Sequence, residues 1–139
     1  MGQVRSFVAA ALVVSACGGG GNVFTIEVGA CFDDTEESQV SSVPEVDCAE
    51  PHDNEVFAVF DYTDADTFPG NEALDAAATD LCIAQFQDYV GAAYLDSTLE
   101  VFPIIPTQAS WDDGDREVIC ALYNDDFSKL TGSMRGSAG

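Results

Sequence analysis

Two runs of apolar residues and one helical periodicity dominate the hydrophobic pattern of the chain. Residues 55–60 and 117–123 are apolar, β-branched or aromatic at most positions, which is typical of strands covered on both faces. From about residue 72 to residue 90, apolar residues recur at spacings of three and four, which predicts an amphipathic helix. We therefore predict an α+β domain in which one main amphipathic helix packs on a small antiparallel sheet, with residues 117–123 beside residues 55–60.

Weaker signals predict the remaining elements. Residues 23–28 are β-rich, which predicts a first strand. Residues 99–105 are apolar but contain Pro103, which cannot donate to a sheet ladder and therefore favours an edge strand or an extended segment. Thr107 can cap one short helical turn. The C-terminal residues 129–136 are small and polar, and two outcomes stay open for them: a return along a sheet edge or a frayed tail.

The N-terminal residues are typical of an export signal. The apolar run at residues 7–14 is too short to span a bilayer and has the length of a signal-peptide core. Residues 14–17, Val-Ser-Ala-Cys, resemble a bacterial lipobox, in which the cysteine thiol is acylated and the chain is cut just before it. We expect Cys17 to carry the lipid. The alternative is an ordinary secretory signal that ends near a cysteine.

These features divide the chain into three segments. We predict a signal peptide at residues 1–16, a lipidated cysteine with a glycine-rich tether at residues 17–22, and one domain at residues 23–136. The chain has 25 acidic and 4 basic residues, a formal net charge of −21. Because this charge repels nucleic acid and anionic head groups, we expect neither as an electrostatic partner. Its simplest role is solubility, and the alternative is a specific cationic partner or calcium.

Four cysteines remain once the first is assigned to the lipid: Cys31, Cys48, Cys82 and Cys120. An even number in an exported domain indicates two disulfides. Zinc is disfavoured because there is no Cys-x-x-Cys pair and the only histidine lies at no ligand spacing. Of the three possible pairings we favour Cys31 with Cys48, and Cys82 with Cys120. The acidic runs lack the Asp-x-Asp-x-Asp-Gly pattern of calcium loops, so no metal and no cofactor are predicted.

His52 is the main candidate for chemistry. With Glu55 or another nearby carboxylate it could form a general acid–base pair, since histidine titrates near neutrality. It could instead hydrogen-bond to the backbone and fix the turn before residues 55–60, which is the interpretation we favour. No Gly-x-Ser-x-Gly motif supplies a nucleophile and the cysteines are expected to be oxidised, so we predict no enzyme activity.

Trp111 and Arg116 form a second candidate position. Arg116 is the only basic residue in the central part of the sequence, so we expect it to make an ion pair with Glu55 or with a neighbouring aspartate. Beside Trp111 it could alternatively clamp an anionic ligand.

Several short motifs, taken in order, resemble the septum formation domain of actinobacterial lipoproteins. They are VGACF at residues 28–32, VDCAEPHDNEV at 46–56, Cys82 with Phe86 and Tyr89, PT at 106–107 with WDDGDR at 111–116, and CAL at 120–122 before Gly132 and Ser133. The chain has Ala30 where an acidic residue is expected. The resemblance implies a cell-envelope protein linked to septum formation, with no defined reaction.

We therefore expect a lipid-anchored module at the extracytoplasmic face of the cell membrane that binds an envelope or division protein or serves a structural role. Two alternatives belong to other classes. One is an envelope hydrolase that uses His52 with nearby carboxylates. The other is a solute-capturing lipoprotein, although one domain of this size lacks the two lobes common in such receptors.

Replacing Cys17 with Ser tests the predicted anchor. The variant should be released into the medium or remain unprocessed, because the acylated thiol is lost. Detergent partitioning and the mass of the mature chain measure both outcomes. A variant that is still cut after Ala16 and stays in the membrane fraction would contradict the assignment.

Overall fold

A five-stranded antiparallel sheet forms the centre of the fold in the computed structural model, which describes residues 21–22, 26–36 and 42–139. Its strands lie in the order β4 (Glu45–Val46), β2 (Cys31–Phe32), β5 (Asn54–Asp61), β7 (Glu117–Asn124) and β6 (Leu99–Ile104). The other elements are a two-stranded sheet of β1 (Gly21–Asn22) and β3 (Ser42–Val43), the helices α1 (Asn71–Val90) and α2 (Gln108–Asp112), and a 3₁₀ turn at Tyr94–Asp96. The predicted α+β class is confirmed.

Strands β5 and β7 are apolar on both faces because each face of the sheet is covered. Their antiparallel pairing aligns Glu55 with Leu122 and Asp61 with Glu117, and a bulge at Phe57 turns two successive side chains toward α1. The main core lies between this face and α1. A smaller apolar cluster covers the opposite face and contains Ile26, Phe32, Val43, Val56, Ile119 and Ala121. The continuous apolar runs in the sequence reflect these two layers.

Helix α1 spans the periodic segment of the sequence and confirms its prediction. Its buried side chains follow one stripe, namely Leu74, Ala78, Cys82, Phe86, Tyr89 and Val90. The ring of Phe86 meets that of Phe57 edge to face, with centroids 5.9 Å apart. The helix ends at Gly91, whose φ of 90° is the left-handed conformation that glycine adopts without steric cost.

The weaker predictions have mixed outcomes. Strand β6 is an edge strand that contains Pro103, and Thr107 caps α2 through the N–H of Ser110, as expected. The predicted first strand is wrong over residues 26–28, because the chain turns at Gly29 to enter β2 and Ile26 is buried without strand pairing. The rest of that segment, residues 23–25, lies outside the described residues, as do the signal peptide, Cys17 and the tether up to residue 20.

Both favoured disulfides are present. Cys31 is bonded to Cys48 and Cys82 to Cys120, with Cα atoms 5.3 Å and 5.5 Å apart. The first bridge joins β2 to the turn after β4. The second ties the buried face of α1 to the middle of β7, and both of its cysteines have no exposed surface.

The C-terminal tail returns along the domain. Leu130 and His52 exchange backbone hydrogen bonds, and the N–H of Gly132 donates to the carbonyl oxygen of Cys48 at 2.6 Å. Further along, Gly136 and Ala138 donate to the carbonyl oxygens of the last two residues of α1. Of the two outcomes left open by the sequence, the structure has the ordered return.

Removing each bridge separately should show their unequal contributions. The separations of 17 and 38 residues predict stability losses of about 3 kcal/mol for the double variant Cys31→Ala/Cys48→Ala and about 4 kcal/mol for Cys82→Ala/Cys120→Ala. Denaturant unfolding measures the difference.

The mass of the unmodified domain tests the presence of both bridges. It should be lower than the mass after reduction by about four protons, because each bridge is a two-electron oxidation. Free thiols at Cys82 and Cys120 would contradict the assignment.

Candidate functional site

Glu55 carries a fully buried carboxylate at the start of β5. Its Oε1 accepts hydrogen bonds from the hydroxyl of Tyr89 at 2.5 Å and from that of Ser133 at 2.6 Å, and its Oε2 accepts one from the N–H of Met134 at 2.8 Å. A buried carboxylate is costly unless such donors replace its water. The three donors come from α1 and from the tail, so this one side chain joins three parts of the chain.

Tyr89 is held as a donor by the same contact. Burial and the hydrogen bond to Glu55 raise the pKa of the phenol above its ordinary value, so the hydroxyl keeps its proton at neutral pH. The guanidinium of Arg135 lies over the ring, with Cζ 4.9 Å from the centroid. The cationic side chain of Arg135, in the tail, therefore contacts the same tyrosine that donates to the buried carboxylate.

His52 lies next to this cluster and is also fully buried. Its Nδ1 is 2.8 Å from the carbonyl oxygen of Glu50, and because a carbonyl only accepts, Nδ1 carries the proton. The other ring nitrogen, Nε2, has no hydrogen-bond partner among the described residues. Together with its backbone pairing to Leu130, the ring fixes the turn before β5 and the start of the tail.

One group of potential metal ligands is found in the described part of the chain. A ring nitrogen of His52, a carboxylate oxygen of Glu55 and Sγ of Cys31 lie within 4.8 Å of one another. Metals bind the cysteine thiolate, and the sulfur of Cys31 is bonded to Cys48 instead. The oxidised domain therefore does not present this trio as a metal centre.

Trp111 and Arg116 lie elsewhere. The expected ion pair of Arg116 with Glu55 or a neighbouring aspartate is wrong: its Cζ stacks 3.7 Å from the centroid of Trp111, and its Nη1 donates to two backbone carbonyls, those of Trp111 and Asp115. The carbonyl of Arg116 pairs with Tyr62, at the far end of β5 from Glu55. Seven residues of extended strand separate Glu55 from Tyr62 by about 20 Å. The four predicted residues thus form two separate clusters.

A cavity of about 210 Å³ opens on the sheet face opposite α1, where sequence reasoning predicted no site. It is lined by Asp34, Asp53, Asn54, Phe102, Tyr123, Phe127 and Ser128. Tyr123 stacks on Phe127 with centroids 5.6 Å apart and meets Phe102 at 5.8 Å. The only sequence signal was a large apolar residue, Phe127, inside the polar turn that follows β7.

Phe127 is held in an unfavourable position. The residue is 79 % exposed, and its φ of 60° is left-handed, which costs a non-glycine residue roughly 1–2 kcal/mol. Neither exposure nor this backbone conformation stabilises the fold. Strain of this kind clusters at functional positions.

The opposite wall of the cavity is acidic and ordered by hydrogen bonds. Asn54 donates to Oδ1 of Asp34 at 2.7 Å, and the N–H of Asp34 donates to Asp53 at 2.9 Å. The ammonium of Lys129 bridges Asp33 and Asp53 at 2.9 Å and 2.8 Å. Partial burial would raise the pKa of Asp53, but the contacts with Lys129 and Asp34 outweigh it and hold that pKa below its usual value. The carboxylate of Asp53 is therefore ionised at neutral pH.

The fold and site define a disulfide-bonded α+β domain whose main polar cluster is buried and whose open cavity is aromatic and acidic. A family model described as septum formation matches residues 24–138, so the chain belongs to the septum formation family. The predicted resemblance to the septum formation domain is thereby confirmed. No curated protein and no solved structure matches the chain. Within the described residues, none of the helices combines the length and apolar character that crossing a bilayer requires.

Replacing Tyr89 with Phe tests the buried carboxylate. We expect a stability loss of about 1–3 kcal/mol, because Glu55 loses one of three donors. Because folding raises the pKa of Tyr89, this residue contributes to stability at pH values below its unfolded pKa, near 10. The contribution disappears as the pH rises through the pKa of the folded state. The difference from wild type should thus be constant below about pH 9 and shrink above pH 10. Tyr123→Phe is the control, and a difference that does not change up to pH 12 would contradict the analysis.

His52→Ala should lower the melting temperature by several degrees, because the turn before β5 loses its hydrogen bond and the ring leaves a void. His52→Asn keeps a donor near Nδ1 and should recover part of the loss. Thermal unfolding of the three proteins measures the series. An unchanged melting temperature together with loss of the cellular role would overturn the structural interpretation of His52.

Proposed function

We propose that this chain is an extracytoplasmic lipoprotein, anchored through Cys17, that contributes to septum formation by binding another envelope or division protein. Membership of the septum formation family supports a role in cell division or the envelope. The lipobox-like residues 14–17 support the anchor. The two parts of the proposal are independent and can be tested separately.

We favour binding over catalysis because the side chains that could act in catalysis are already used inside the fold. A general acid or base must come within hydrogen-bond reach of its substrate. His52 and Glu55 have no exposed surface, and Glu55 already accepts three internal hydrogen bonds. Arg116 lies at the other end of the sheet, so these groups do not share a cleft. This arrangement argues against a hydrolase that uses His52.

The size of the cavity argues against solute capture. Sites for small molecules usually enclose about 300–1,000 Å³, whereas the aromatic cavity holds about 210 Å³. Such a space accommodates one side chain better than a whole nutrient molecule. Recognition of a protruding residue of a partner fits it.

The proposed anchor also limits the distance between the domain and the membrane. Residues 17–20, which precede β1, can extend about 14 Å, so the domain works close to the membrane. Anionic head groups repel a chain of net charge −21, which keeps the domain off the lipid surface and turns it toward other envelope components.

Site-specific photo-crosslinking in intact cells of the native host tests the binding role. The chain has a single lysine, Lys129, so amine-reactive reagents would report poorly. A photoreactive residue at Phe127 should capture a defined partner, whereas the same residue at Leu95, which is 92 % exposed, is the matched control. Absence of crosslinks from both positions, combined with envelope hydrolysis that His52→Ala abolishes at unchanged stability, would replace the binding role by an enzymatic one.

A further inference from the structure

The aromatic cavity has the chemical features of a site for a positively charged side chain. One wall presents the stacked rings of Tyr123 and Phe127 with Phe102 beside them, and the other presents the carboxylates of Asp34 and Asp53. Aromatic faces carry negative charge density and attract a cation placed over them. Carboxylates attract the same group. Both walls therefore favour one class of ligand.

The chain itself shows what the acidic wall accepts. The ammonium of Lys129 binds Asp33 and Asp53 at the rim of the cavity, in an exposed position. Asp34 makes no ion pair with this lysine, and its Oδ1 is oriented by the amide of Asn54, which is 2 % exposed. The acidic group of Asp33, Asp34 and Asp53 has three carboxylates, and Lys129 supplies one positive charge. Two negative charges are therefore left over. The surplus leaves charge for a second cation.

Phe127 has a position that a ligand explains and the fold does not. The turn after β7 holds it with φ of 60°, leaves the residue 79 % exposed and stacks its ring on Tyr123. Asparagine or glycine would suit this backbone better. A cation over the ring, shielded from water by the cavity walls, uses the aromatic face that is exposed there.

We propose that this cavity binds an arginine or lysine side chain from a basic segment of the protein partner. The inference rests on the proposed binding role and adds to it the chemistry of the partner's contact. The volume of about 210 Å³ matches one long side chain. The net charge of −21 draws basic segments toward the domain, and the cavity selects the residue that inserts.

Titration with a defined peptide tests the site without knowledge of the partner. The probe is an N-acetylated, C-amidated peptide of alternating glycine and arginine, and its control replaces every arginine with citrulline, which has the same shape and no charge. We expect the arginine peptide at about 0.15 M salt to shift the NMR signals of Phe102, Tyr123 and Phe127, since screening suppresses diffuse attraction. Equal binding of the citrulline peptide would overturn the proposal.

Two matched pairs of variants locate the contact. Phe127→Asn should weaken binding about fivefold to thirtyfold without lowering stability, because the cation–π contact is lost while asparagine suits the backbone. Leu95→Asn, at another exposed apolar residue, should bind as wild type. Asp34→Asn should weaken binding about two- to fivefold, and Asp88→Asn on the exposed face of α1, which removes the same charge, should not. Equal losses from the two aspartate variants with none from Phe127→Asn would reduce the effect to diffuse electrostatics and overturn the site.

The two proposals can fail separately. Crosslinks from Phe127 in the envelope without binding of the arginine peptide would keep the partner role and overturn the cationic ligand. Binding of the peptide at the cavity without a partner in the envelope would keep the ligand chemistry and overturn the partner role.

Discussion

The carboxylate of Glu55 imposes the strongest constraint on this fold. A carboxylate without solvent contact needs hydrogen-bond donors around it, and here they come from positions 34 and 78 residues away in sequence, Tyr89 and Ser133, together with the N–H of Met134. The helix and the tail must both be in place before this charge is satisfied. The hydrogen bonds of His52, the pairing of Leu130 and the bridge between Cys31 and Cys48 then extend the same ordered region to the edge of the sheet.

Sequence reasoning worked where the physical cause is local. Helix α1 follows from a period of three to four residues, the central strands from continuous apolar runs, and the disulfides from an even number of cysteines in a domain predicted to be exported. It failed where the partner is distant. Arg116 was expected to form an ion pair with a carboxylate, but it stacks on the ring of Trp111 and donates to two backbone carbonyls close to it in sequence. The donors to Glu55 carry no local signature, because a tyrosine on a buried helix stripe and a serine in a polar tail are common.

The cavity was missed for a related reason. Phe102, Tyr123 and Phe127 belong to β6, β7 and the following turn, and each is unremarkable in its own segment. Only the antiparallel register, which sets Phe102 opposite Ala121 and Glu100 opposite Tyr123, brings their rings together. The acidic wall is likewise assembled by pairing, since Phe32 lies opposite Asn54 and sets Asp33 and Asp34 beside Asp53. The first strand was overpredicted because burial of Ile26 produces the same apolar signal as strand pairing.

The return of the tail also bears on the order in which the molecule is built. A ribosome adds residues 133 and 134 long after β5 and α1, yet they donate two of the three hydrogen bonds to Glu55, and a bridge joins Cys82 to Cys120 across the middle of the domain. A nascent chain that has exposed only β5 and α1 lacks two of the three donors to Glu55, so closing its core would bury this side chain without its full set of hydrogen bonds. Contacts of such long sequence separation form slowly. The domain is thus expected to stay unfolded until its C-terminal tail has been synthesised.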